Sequence, residues 1–548
     1  MDQKVNVSIS SEKRVRIQNK GYGEAGASYS KRALKGFTAM SGSPREDIDF
    51  NNYTLRQRAR MLYMAAPIAT SAIKTNRTNT IGLGLKLNPK IDREYLGLTA
   101  EQAEKWEKNV KEEFSLWASD KQACDATGVN DFYSMQQLAC SSWLTSGDVF
   151  AVKKYEEPTL EHPYSLRIHI IEADRVATPY SDSGFNINYT IGENKETHNK
   201  IYDGVEVNDA GKIVAYHIRN TYQFEATTDQ TNWVRVEAYG KETGLPNIIH
   251  IMNSERPDQY RGVTYLAQLI EPILQIRRYT ESELMAALVE SFFTAFIKTS
   301  STSDADDGMP MNEAVSEEEK VTYDPNEYEM GPGNINMLNE GEDPIFAEPK
   351  RPASGFSNFV HAICTQIGAS LEIPVDLLLK EFNSSYSASR AALLEAWKSF
   401  KMYREWFSND FCRPIYKIWL SEAIARGRIH APGFFTDARV KSAWLKSEWI
   451  GPSQGQLDPV KEITAKIMAV TEGFSTHEDS TVELTGGDWN ANMNKLEREN
   501  EKKRMILNNQ LNQTQNNTTT SVQNSLQKLI QATIKDTIQN CINEIKEG

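Results

Sequence analysis

Apolar positions across residues 356–420 form two stripes separated by a polar break. In the first, Phe356, Phe359, Val360, Ile363, Ile367 and Leu371 recur in steps of three and four, which places them on one face of a helix. Pro374 ends that helix, because the residue before a proline is pushed out of the helical region and the ring lacks an N–H. After a short polar loop, Ser385 or Ser387 can cap a second helix, on which Leu393, Trp397, Phe400, Phe407 and Phe411 share a face with no proline before Pro414. At ~1.5 Å per residue it is a rod of about 40 Å. A rod this long, striped on one side, suits a layered or ring-shaped assembly better than a compact enzyme core.

Elsewhere the pattern predicts helices over residues 55–80, 101–117 and 131–145, and a strand over 81–89. Gly147 and Asp148 open strand-like segments that continue to His250 and include a hairpin turning at Asn208-Asp-Ala-Gly211. The first half is therefore α+β. Residues 271–297 read as a third long helix, with Leu274, Arg278, Glu281 and Leu288 spread around it, as on a helix between neighbours or along a wet surface. Residues 1–50 mix Gly, Ser, Lys and Arg without apolar periodicity and read as a loose arm, whose cluster from Lys31 to Lys35 is a solvated basic patch or a nucleic-acid contact. The Asn/Gln/Thr-rich tract 508–524 reads as disordered. It leads into an amphipathic helix with Leu526, Ile530, Ile534, Ile538, Cys541 and Ile545 on one face, which needs a partner.

Composition narrows the class. A chain of 548 residues exceeds what one core usually supports, and 39% hydrophobic with 25% charged residues is ordinary for globular protein. The five cysteines are far apart, with no CxxC pair, and read as reduced core residues. No N-terminal stretch resembles a signal peptide, and Glu271 and Glu290 break the most apolar segments, which argues against a membrane span. Net charge is 61 − 74 = −13, the wrong sign for gripping nucleic acid by its phosphates. Between residues 299 and 348, fourteen acidic residues stand against the single Lys320, which reads as a flexible acidic loop.

Catalytic constellations are absent. Gly451-Pro-Ser-Gln-Gly455 has the letters of a nucleophile elbow around Ser453, but no helix begins directly after it. The Gly82-Leu-Gly84 pair lacks the third glycine of a dinucleotide fingerprint, and a calcium loop ending at Gly308 is out of register. Histidines are scattered singly, and no metal site or cofactor is expected. The rival readings are a serine hydrolase using Ser453 and a non-viral scaffold assembling through its terminal helix.

Nine blocks in order resemble the lambda family of bacteriophage portal proteins over roughly residues 30–500. They are Arg56-Gln-Arg-Ala-Arg60 with the run from Asn76 to Leu87; Ser146-Gly-Asp-Val-Phe150; Ile170-Ile-Glu-Ala-Asp-Arg175; Gly204-Val-Glu-Val-Asn-Asp-Ala-Gly211; Ile249-His-Ile with Arg256-Pro-Asp-Gln-Tyr-Arg-Gly262; Gly331-Pro-Gly333; Ser385-Tyr-Ser-Ala-Ser-Arg390; Leu457-Asp-Pro-Val-Lys-Glu462; and Gly487-Asp-Trp489. The asparagine pair usual before Pro67 is Ala65-Ala66 here, so no role carries over to those positions.

The resemblance implies an α+β, mainly α-helical portal fold forming a ring-shaped homo-oligomer, a dodecamer at one capsid vertex. Through it a packaging motor drives double-stranded DNA, and the neck and tail later attach. The implied partners are the terminase large subunit, the major capsid protein and a head–tail adaptor, in a virion assembled in the host cytoplasm, with no enzymatic role and no membrane contact. The implied divisions are an arm (1–50), an α+β wing (51–265), a stem helix (266–298), a clip (299–348), a second stem helix (349–373), a tunnel loop (374–386), a long wing helix (387–430), a wing and crown region (431–507), and a polar linker with a terminal crown helix (508–548). The residues expected to face DNA are Lys380, Glu381, Phe382, Asn383, Ser384, Ser385 and Tyr386. Those expected to dock partners in the clip are Tyr323, Tyr328, Gly331, Pro332 and Gly333.

Overall fold

The computed structural model describes residues 25–180, 191–222, 225, 230–291, 295–299, 342–346, 355–382, 385–455 and 458–547. It is α+β and mainly helical, as expected. Helices α1 (Phe50–Ala65) and α2 (Pro67–Thr80) are split by Pro67, which sits at the first helical position of α2, where its missing N–H costs nothing. Strand β1 (Lys86–Pro89) and the single turn α3 (Arg93–Leu96) lead to α4 (Ala100–Ala118), which opens on a reciprocal capping box of Thr99 and Gln102. The turn α5 (Lys121–Cys124) precedes α6 (Phe132–Ser146), whose N-terminal Ser134 N–H donates to the Asp131 side chain at 2.7 Å.

Strands β2 (Asp148–Tyr155), β3 (Leu166–Glu172) and, much later, β9 (Ile248–Met252) form an antiparallel sheet in the order β3-β2-β9. A five-stranded meander follows the chain: β4 (Ile191–Glu193), β5 (Lys200–Tyr202), β6 (Val205–Val207), β7 (Ile213–Arg219) and β8 (Trp233–Glu237). The expected hairpin is β6–β7. Its turn is held by the Asn208 side-chain oxygen, which accepts from the N–H groups of Ala210 and Lys212, and Gly211 supplies the positive φ of +78°.

Helix α7 (Ile270–Ser291) is shorter than the pattern suggested. Ile297 lies instead in β10 (Ala295–Thr299), which pairs with β11 (Glu342–Phe346) so that Thr299 faces Glu342. The run Ala-Phe-Ile-Lys-Thr is too short for periodicity to separate helix from strand, and its aromatic and β-branched residues favour the pleated form. The acidic insert therefore leaves and returns through one two-stranded ribbon.

Helix α8 (Phe356–Ser370) precedes the one-turn α9 (Val375–Leu379), within a stretch expected to be loop throughout. Helix α10 (Tyr386–Phe407) runs through a π-turn at Ser408–Cys412 into α11 (Arg413–Ala425). The π-turn lets the helix pass Pro414, which has no N–H to give. The stripe behaves as expected: Phe400, Phe407 and Phe411 are at most 1% exposed and Trp397 is 9% exposed. They join a large aromatic core in which Phe132 stacks on Phe411 at 5.9 Å and Phe114 meets Trp419 edge-on at 5.0 Å. Helix α12 (Ala438–Leu445) leads to β12 (Ser447–Ile450), which pairs antiparallel with β1 and ties the two ends of this core together. A second, smaller core around Phe150, Val205 and Tyr216 sits between the two larger sheets.

Helices α13 (Pro459–Thr471) and α14 (His477–Thr485) precede α15 (Trp489–Glu547). Residues 508–524, expected to be disordered, are continuous helix within it. No glycine or proline interrupts the run from Trp489 to Glu547, so the helix propagates through the polar tract from both sides. At 59 residues it is about 90 Å long. The arm is also shorter than expected: the helical turn Arg45–Asp49 is fastened by an Asp47–Arg256 ion pair and by Arg45 stacked 3.8 Å over the Tyr202 ring.

Candidate nucleic-acid interface

The surface expected to meet DNA begins where α8 stops. Gly368 allows that stop: a Cβ there would lie 2.5 Å from the Ile373 carbonyl, and the Ile373 N–H reaches back to the Gly368 carbonyl at 2.9 Å. The buried side chains of Leu371 and Ile373 anchor the elbow. The Tyr265 hydroxyl donates to the Leu371 carbonyl, and Ser71 of α2 donates to the Leu378 carbonyl at 2.6 Å. Lys380 then takes a left-handed conformation, φ +58°, as the C-cap of α9. Lys380, Glu381 and Phe382 are exposed, Phe382 at 58%. Ser385 caps α10 through a hydrogen bond from the Ala388 N–H at 3.4 Å, and Tyr386 is the first helical residue. The described residues at the start of the loop are thus exposed and carry one cation, Lys380, beside one anion, Glu381. Lys74 and Lys380 flank a groove of about 410 Å³ lined also by Ala65, Pro67, Thr70 and Ser71.

Of the residues assigned to this surface, Lys380, Glu381, Phe382, Ser385 and Tyr386 are brought together. Asn383 and Ser384 lie outside the described residues, as do Tyr323, Tyr328, Gly331, Pro332 and Gly333. Ahead of the loop, α7 and α8 pack through Tyr279, whose ring lies 5.3 Å from Phe356 and 5.0 Å from Phe359. Leu284 and Met285 of α7 are 61% and 60% exposed, and Phe359 of α8 is 50% exposed.

Behind this surface is a group the sequence did not reveal as one. Arg261, fully buried, contacts Asp148 at 2.6 Å and Asp203 at 2.8 Å; Arg56 reaches Asp203 at 2.9 Å and Asp174 at 3.3 Å; Arg60 pairs with Asp174. His250 lies 3.5 Å from Asp148 and stacks on Phe150 at 4.2 Å. Gly147, with φ +89°, and Gly262 cross here so closely that a Cβ on either would strike the other's backbone. Burial by itself would raise the Asp148 carboxyl, but Arg261 and His250 hold it well below the usual carboxylate range. Burial, with repulsion from Asp203 and Asp148, pushes Asp49 beside them up to about 7 against the pull of Arg261 and Arg56. Apart from Asp49, these residues come from five of the nine blocks or the position directly before one, so that landmarks as far apart as Arg56 and Arg261 form one buried ionic junction. It fixes where the chain leaves Gly262 for α7.

Ser453 sits in coil after β12, and among the described residues no helix begins between it and Pro459, unlike a nucleophile elbow. Among the described residues no group of three His, Cys, Asp or Glu side chains could hold a metal, and no helix is long and apolar enough to cross a membrane. Gly82 and Gly84 form the turn after α2, where a Cβ on Gly84 would meet Tyr133 at 2.5 Å, so they serve packing.

Long helices and an exposed loop beside α9 frame this surface, and the class of protein is given by its family. The model of the lambda family of phage portal proteins matches residues 30–404, and the chain belongs to that family. It is similar to portal protein B of Escherichia phage lambda, 22% identical over 453 residues that cover 79% of this chain and 82% of that protein. It is also similar to the portal protein of Escherichia phage N15, 21% identical over 424 residues, 75% of this chain and 77% of that one. Among solved structures, a chain from the neck of a native gene transfer agent particle, computed with C12 symmetry, matches at 12% identity and a TM-score of 0.39, covering 79% of this chain and 93% of that one.

Proposed function

We propose that copies of this phage portal protein close into a dodecameric ring at one capsid vertex and act as the conduit for double-stranded DNA during packaging and ejection. Residues 51–265 with α10 and α11 form the wing, α7 and α8 the stem, the insert 299–348 the clip, residues 374–386 the tunnel loop, and the C-terminal region the crown. The terminase large subunit and a head–tail adaptor dock at the clip, and the major capsid protein surrounds the ring in the virion. The chain performs no chemistry of its own.

The observation that carries this reading, beside family membership, is the α7–α8 pair. Leu284, Met285 and Phe359 stand exposed on helices that bury only a narrow stripe, Ile273 and Ile276 on α7 and Cys364 and Ile367 on α8, and a head-to-tail contact between copies would cover them. A conduit must also not hold its cargo. The net charge of −13 and a loop whose Lys380 and Glu381 offset each other give phosphates little to bind. Replacing Asn383 and Ser384 with lysine is expected to slow DNA passage in a reconstituted packaging motor. An unchanged rate would contradict the placement of this loop against DNA.

A further inference from the structure

None of the described residues of 458–547 belongs to either hydrophobic core. Among them Ser480 is the one buried side chain, and Val482, Leu484 and Trp489 are half-buried. Val460, Ile467 and Phe474 are 75%, 60% and 85% exposed, so their apolar area does little to fasten α13 to the rest of the chain. Among the described residues, no backbone hydrogen bond ties 458–547 to residues 25–455. What reaches across is charge. Lys111 of α4 pairs with Asp488 at 2.7 Å, Lys90 with Glu478 of α14 at 3.6 Å, Lys401 of α10 with Glu483 of α14 at 3.7 Å, and Arg390 of α10 with Glu462 of α13 at 3.9 Å. The polarity runs one way: each cation belongs to the body of the protein and each anion to the C-terminal helices.

We propose that α13, α14 and the start of α15 form a strap docked on the body by these ion pairs, which lifts off as a unit when the pairs are screened and bares Lys90, Lys111, Arg390 and Lys401. Apart from Glu462, every partner side chain is about a third exposed or more, so dissolved ions reach the contacts. At about 1 M salt the reach of a charge shrinks to ~3 Å, no longer than these contacts. A single exposed pair contributes little, but the four anions sit on one helical unit, so the pairs hold or yield together. That unit has ties of its own. Lys466 of α13 pairs with Glu483 of α14, and the His477 ring stacks 4.5 Å from that of Trp489. The Arg261 junction is the contrast, since it is buried away from ions and keeps its pairs at any salt concentration. The inference concerns a single copy and does not depend on the ring.

The test treats the full chain with a water-soluble carbodiimide, which joins a lysine amine to a carboxylate in contact with it, at about 50 mM and at about 1 M sodium chloride. Mass spectrometry then measures the Lys111–Asp488 product against the Lys446–Asp92 product, a pair of the same 2.7 Å separation with both ends in the body. The ratio is expected to fall about tenfold in high salt. In low salt it is expected to fall about threefold in a Lys401→Met variant, which loses a different pair of the same strap. A Lys398→Met control, whose partner Glu395 lies within α10, is expected to leave it unchanged. A Lys111–Asp488 yield that follows the reference pair at both salt concentrations, or that Lys401→Met leaves at the wild-type level, would overturn the proposal. So would the absence of that product in low salt.

Discussion

Arg261 carries the most at the scale of single residues. It is fully buried, and its guanidinium serves two carboxylates together with the carbonyls of Ala173, Val176 and Asp203. Arg261→Ala leaves Asp148 and Asp203 buried without their cation, for which a loss of about 3–5 kcal/mol is expected in urea unfolding. A loss below 1 kcal/mol would show that the junction is not structural. Asp49 gives the junction a pH dependence of opposite sign to that of Asp148. Its folded pKa of about 7 lies above the ordinary 3.8, so its contribution is present below 3.8 and is lost as pH rises through 7. Asp148 is depressed instead, and its contribution is present above 3.8 and lost only as pH falls well below that. Asp49→Asn is therefore expected to raise the unfolding midpoint more at pH 8 than at pH 5. Equal effects at both values would show that Asp49 is already ionised in the folded chain.

The elements that mattered most were those whose period could be read directly. The stripes of α8 and α10 appear where the spacing placed them, because each is long enough for a 3.6-residue period to stand out, and Asp131 and Ser385 mark helix starts through their side chains. Short elements escaped: α9 has five residues, less than two turns, and β10 has five residues of ambiguous composition. The elbow between α8 and α9 rests on Gly368. Gly368→Ala would drive a Cβ to 2.5 Å from the Ile373 carbonyl, and a loss of about 1–3 kcal/mol with faster exchange across residues 368–382 is expected. Unaltered exchange there would mean that the elbow yields without strain.

At the scale of the whole molecule, order along the chain was legible and convergence in space was not. The blocks around Arg56, Asp148, Asp174 and Arg261 could be recognised one by one, but their meeting depends on pairings across more than 100 residues, such as that of Asp148 with Arg261, which no local pattern encodes. The same holds for β1 and β12, which pair Lys86 with Ile450 although they are far apart in sequence. The folded chain leaves Leu284, Met285 and Phe359 on α7 and α8 and Leu526, Ile530 and Ile534 on α15 exposed, the surfaces that the proposed ring would cover. The most direct test is negative-stain imaging of the purified chain with mass photometry on the same sample. Rings with a central hole and a mass near a dozen copies of the 62.0 kDa chain are predicted. A monodisperse monomer, with no ring in any field, would contradict a self-assembling conduit.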